Sequence, residues 1–80
     1  MIVLTVYSRP ECHLCEEMVT ELEPLVAGKA RIDIVDISEH EGLSRRFGLL
    51  IPVLMHADEE LSRYRLDRSR LTEFFERQSR

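Results

Sequence analysis

The chain opens on an almost purely apolar run, Ile2 to Tyr7, in which Thr5 is the one polar member. A β-branched run without polar alternation predicts a strand covered on both faces. Ser8-Arg9-Pro10-Glu11 interrupts it. Leu14, Met18, Leu22 and Leu25 then share one helical face, with Cys15, Val19, Leu22 and Val26 on the adjacent stripe. Glu16, Glu17, Glu21 and Glu23 cover the remainder. Pro24 is expected to kink or end this helix, because it lacks a donor and crowds the preceding turn. Gly28 is a natural terminator.

Arg31 to Ile37 reads as a second strand, and a helix between two strands predicts a parallel βαβ unit. Ser38 followed by Glu41 fits a capping box. Leu43 and Phe47 give a short helix an i, i+4 apolar pair, closed by Gly48. Val53 to His56 is a short strand after Pro52, and Ala57-Asp58-Glu59-Glu60 reads as a turn. Leu61 to Leu66 follows as the far strand of a hairpin. Ser62, Tyr64 and Leu66 lie on one side and Leu61, Arg63 and Arg65 on the other, an edge protected by charge. Asp67 suits the N-cap of a last helix that packs through Leu71, Phe74 and Phe75. The predicted class is α/β, in the order β-α-β-α-β-β-α. Its expected product is a four-stranded mixed sheet flanked by three helices.

At 80 residues the chain has room for one domain, residues 1–80, with a thin core. Its net charge of −4 disfavours bulk nucleic-acid binding, which normally shows a strongly basic face. The longest apolar run, Phe47 to Met55, falls well short of the roughly 20 residues of a membrane span, so no membrane association is expected. No basic segment precedes the first apolar run, so a cytoplasmic setting without a secretory signal is expected. The charge is uneven: residues 1–41 carry −6 and residues 42–80 carry +2. Arg63, Arg65, Arg68 and Arg70 form either a solvated face or a local anion or partner site.

The informative motif is Cys12-His13-Leu14-Cys15, set where the first strand hands over to a helix. A cysteine at a helix N-terminus meets free backbone N–H groups and the positive end of the dipole, which stabilise its thiolate. The second cysteine returns to the same side about one turn later, so the sulfurs can close into a disulfide and reopen. Cys12 is then the exposed attacking thiolate and Cys15 the partly buried resolving thiol. An inert CxxC and half of a zinc site are the competing readings. Zinc needs two more ligands, and the three histidines His13, His40 and His56 lack the usual spacing, so no metal site is expected.

Tyr7 to Cys15, together with Ile51-Pro52-Val53, resembles the glutaredoxin branch of the thioredoxin-like superfamily, most closely its small glutaredoxin-like members. The resemblance spans almost the whole chain. It implies that Pro52 is a cis-proline facing the CxxC. It also implies that the Ile51 backbone pairs with an extended substrate by strand addition. Arg9 falls where glutaredoxins commonly carry a lysine, so it either favours the Cys12 thiolate and meets a glutathione carboxylate or is a solvated loop cation. His13 either stabilises the Cys12 thiolate or faces solvent, while Glu11, Glu16 and Glu17 oppose the thiolate. Three departures stand out. His13 replaces the proline that dithiol glutaredoxins place after the first cysteine. Leu50-Ile51 replaces Thr-Val. The Gly-Gly that binds the glutathione γ-glutamyl carboxylate is absent, although the amides at Asp67 could hold an anion.

The implied activity is thiol–disulfide exchange on a disulfide-bearing protein or small molecule, by a monomer without a tightly bound cofactor. Glutathione or a thioredoxin-type reductase would restore the dithiol, with glutathione a candidate co-substrate. The alternatives are a glutathione-dependent iron–sulfur cluster module and a non-catalytic interaction domain.

Overall fold

A computed structural model describes residues 1–79. Strand β1 (Ile2–Ser8) leads into helix α1 (His13–Val26), then β2 (Ala30–Asp36). A 3-10 turn (Ile37–Glu39) and helix α2 (Glu41–Phe47) follow, then β3 (Val53–His56), β4 (Glu59–Arg63) and α3 (Arg68–Gln78). The sheet order is β2-β1-β3-β4. β1 runs parallel to β2, from Ile2 beside Ala30 to Ser8 beside Asp36. It runs antiparallel to β3 through Thr5–Met55, Val6–Leu54 and Tyr7–Val53.

The period of two in the central strands separates two cores. Leu4, Val6 and Leu54 face one side of the sheet and pack with Met18, Leu22 and Val26 of α1 and Leu71 and Phe74 of α3. Val53 and Met55 face the other side and pack with Ile37 and Phe47, with Tyr7 half-buried against them. Tyr7 and Phe47 stack with ring centroids 4.5 Å apart. β1 is therefore apolar but for Thr5 and its last residue, Ser8, because helices cover both of its faces. Each fully buried Leu, Val or Phe contributes about 1.5–3 kcal/mol, enough to fix the register of a sheet this small.

Four local expectations differ from what is observed. Helix α1 continues through Pro24 and ends at Val26. Pro24 lies so near the C-terminus that only the last turn bears the missing donor, while Leu22 and Val26 anchor that turn in the core. Gly28 then reverses the chain at φ +76°. The Ser38–Glu41 capping box does not form. Asp36 takes Ser38 instead, accepting from its backbone N–H at 2.9 Å and its hydroxyl at 2.6 Å. α2 starts after His40 with no side-chain cap. The hairpin turn is shorter than expected, Ala57-Asp58, and β4 occupies Glu59–Arg63 rather than Leu61–Leu66. The ladder slips between Leu54 and Met55, which leaves neighbours Leu61 and Ser62 both buried. Tyr64, at φ +65°, ends the strand.

Candidate active site

β1 delivers the chain to the site, and the turn that follows aims it. Glu11 adopts φ +61°, a left-handed conformation that a non-glycine residue takes at a cost of about 1 kcal/mol or more. Cys12 comes next in extended conformation, as the N-cap of α1. Its Sγ accepts a hydrogen bond from the Cys15 backbone N–H at 3.2 Å. Cys12 and Cys15 are joined in a disulfide, their Cα atoms 5.2 Å apart. Cys15 is 3% exposed and Cys12 is half-buried. The outer sulfur thus belongs to Cys12, at the positive end of a 14-residue helix.

Opposite this turn, the chain enters β3 through a cis Ile51–Pro52 peptide. Continuing the β1–β3 register places Pro52 beside Ser8, at the sheet end where Cys12 lies. Pro52 is buried and Ile51 half-buried. The structure therefore gathers Cys12, Cys15, Ile51 and Pro52 at one end of the two central strands.

Arg9 bridges two shallow concavities. One, about 360 Å³, includes Ser8, Cys12, Cys15, Val19 and Ile34 in its lining. The other, about 460 Å³, is lined by Ser44, Arg45, Arg46, Gly48, Leu49 and Leu50. The Arg9 guanidinium reaches 3.5 Å from the Gly48 carbonyl oxygen, a long contact. A Cβ on Gly48 would clash with the Ser44 carbonyl oxygen and press within 3.3 Å of Arg9 Nη2, so close approach is what glycine serves here. Asp36 lies nearby. The Ser38 hydroxyl and backbone N–H hold its carboxyl below the usual range, and the Arg9 charge adds a smaller pull.

His13 is turned to solvent and to its own helix. Its Nε2 lies 3.1 Å from Glu17 on the next turn, and its side chain is 82% exposed. Glu17 also faces Arg65 at 3.9 Å. Asp67 caps α3 by accepting the Arg70 N–H at 3.0 Å. Two of the arginines pair with the fold's own carboxylates: Arg63 with Glu60 and Arg68 with Glu21, both at 2.7 Å. Arg45, Arg46 and Leu49 are the lining residues that the sequence reading passed over. Their signal was two consecutive cations ending a short helix just before Ile51-Pro52. A larger cavity, about 620 Å³, includes Ile2, Leu25, Leu71 and Phe75 and opens at the start of β1, the far end from the cysteines.

Among the described residues, no three His, Cys, Asp or Glu side chains form a cluster able to hold a metal ion. No described helix is long and apolar enough to cross a membrane.

No curated protein matches the chain. Solved structures do. Protein Ne2328 from Nitrosomonas europaea is 34% identical, with a TM-score of 0.83 over 91% of this chain and 89% of that one. Target protein XcR50 from X. campestris is 31% identical, with a TM-score of 0.69 over 91% and 95%. Thioredoxin-2 of the malaria parasite, described as a component of its protein secretion machinery, is 19% identical, with a TM-score of 0.63 over 96% and 82%. That last likeness concerns the fold, which is thioredoxin-like. The CxxC pair on this fold supports a redox-type function. The family model described as "Glutaredoxin-like domain (DUF836)" matches residues 3–76, and the chain belongs to that family.

Proposed function

We propose that the protein is a dithiol–disulfide oxidoreductase. The observation that carries this reading is the Cys12 sulfur, which caps α1 and accepts the Cys15 N–H at 3.2 Å while bonded to a buried partner sulfur. In the reduced protein the same N–H and the helix dipole favour a Cys12 thiolate. That thiolate attacks one sulfur of a substrate disulfide, forms a mixed disulfide and expels the other substrate sulfur as a thiolate. Cys15, deprotonated, then attacks the Cys12 sulfur and expels the remaining substrate thiolate. Two electrons pass to the substrate, and the protein is left as the Cys12–Cys15 disulfide. A thiol reductant, glutathione or a thioredoxin-type reductase, returns two electrons.

The surrounding residues divide the remaining work. The Ile51 N–H and C=O have no backbone partner among the described residues, which suits pairing with an extended substrate strand. Pro52 shapes the wall on that side. Arg9 supplies positive charge beside Cys12. His13, held by Glu17, forms part of the substrate-facing rim.

Titration of the pair in glutathione buffers, read by mass spectrometry, tests the reading. The expected result is a single two-electron transition between about −270 and −120 mV. Two thiols that stay free across that range would overturn it. A glutathione adduct on Cys12 would keep glutathione in play as co-substrate.

A further inference from the structure

The cleft beside the cysteines reverses the sign of the molecule. The chain carries −4 overall, yet this 460 Å³ cleft is lined by Arg9, Arg45 and Arg46 and by no carboxylate. Asp36, outside the lining, stays charged and acts on Arg9 from a distance, and Glu60 holds Arg63 in a two-point contact at 2.7 and 2.8 Å. Arg45 meets Glu41 in a pair whose side chains are 76% and 80% exposed, a contact of little worth in water. Arg46 lies 4.7 Å over the Phe47 ring, which steadies its guanidinium without neutralising it. Two apolar side chains flank the cleft without cover: Leu49, 92% exposed, and Ile34, 57% exposed, across Arg9 in the concavity that holds Cys12.

We infer that the Arg9–Arg45–Arg46 cleft docks an acidic segment of a substrate protein beside its disulfide, with Leu49 taking an apolar side chain of that segment. This deepens the oxidoreductase reading and rests on it for the partner's being a substrate. A protein segment fits better than a small anionic thiol. Arg9 lines both concavities, so one extended chain can follow both, with its acidic residues at the arginine cleft and an uncharged apolar stretch past Glu16, Ile34 and Cys12. Charge complementarity on this rim then sets which disulfides are presented to Cys12.

The test uses the oxidised protein and short fluorescent peptides that lack cysteine. One carries Asp and Glu around a leucine, and its counterpart carries Lys at the same positions. The acidic peptide should bind about tenfold or more tightly than the basic one, and the preference should collapse in about 0.5 M NaCl. Amide shifts should map to Arg9 and residues 44–50. Arg45→Gln with Arg46→Gln should lower the acidic affinity about tenfold, and the peptide charge series decides the matter if that variant does not fold. Equal affinities, or shifts centred on residues 63–70, would overturn the inference. So would glutathione disulfide producing the same shifts at the same concentration. Turnover of bis(2-hydroxyethyl) disulfide by the unaltered protein reports the redox reading separately. Turnover without charge preference defeats the docking surface alone, and charge-selective binding without turnover defeats the redox reading alone.

Discussion

The Sγ of Cys12 and the backbone N–H of Cys15 are joined by a 3.2 Å hydrogen bond, so a sulfur occupies the place where helices usually carry a Ser or Asp oxygen. One donor that would otherwise be orphaned is satisfied by the residue proposed to react. The cap and the proposed nucleophile are the same atom.

The two cysteines should therefore behave unequally. Cys12→Ser is expected to reduce disulfide turnover to background. Cys15→Ser should keep the first step and accumulate a mixed disulfide on Cys12, visible as a mass increase equal to the substrate thiol less two hydrogens. Adduct formation on Cys15 in the Cys12→Ser protein, at a rate matching Cys12, would contradict the assigned order.

At the other N-cap, Asp67→Ala removes the carboxylate that accepts the Arg70 N–H. Urea unfolding should show a loss of about 0.5–2 kcal/mol. The denaturant slope should stay constant, because the change exposes no new core.

Acid should weaken the fold through three carboxylates. Asp36 is held below its usual value by Ser38, Glu59 by Arg77 and Glu60 by Arg63. A carboxyl depressed in the folded state stabilises it above the unfolded value and loses that contribution as pH falls through the folded value. The three contributions are complete above the ordinary values of 3.8 and 4.5 and fade below them. Unfolding midpoints should thus be level from neutral pH to about 5 and decline below about 4. Arg77→Gln should reduce the Glu59 share of that decline.

Much of this architecture was legible in residue order. Ile2–Tyr7 declared a strand buried on both faces, and the Leu–Met–Val stripe after Cys12 declared the helix that covers it. The misses came from local competitions that spacing does not decide. Asp36, two residues back, takes the Ser38 N–H and hydroxyl, while Glu41 pairs with Arg45. The β3–β4 slip lets Leu61 and Ser62 both turn inward, so alternation misplaces the strand. The Arg63–Arg70 series reads as a solvated face or a partner site, and spacing does not show that Glu60 and Glu21 pair with Arg63 and Arg68. The pair Arg45-Arg46 is visible in the sequence, but its nearness to Arg9 is not, because Arg9 reaches Gly48 from 39 positions away in the chain.

Tyr64 holds the segment before β3 from both sides. Its backbone N–H donates to the Pro52 carbonyl oxygen at 2.8 Å, and its hydroxyl donates to the Leu49 carbonyl oxygen at 3.2 Å. One residue just past the outermost strand therefore latches the loop that carries Ile51. Loosening β4 and releasing that loop become a single cooperative event, a local unfolding unit rather than two independent ones. The sheet's exposed margin thereby sets how long the Ile51 backbone keeps one shape.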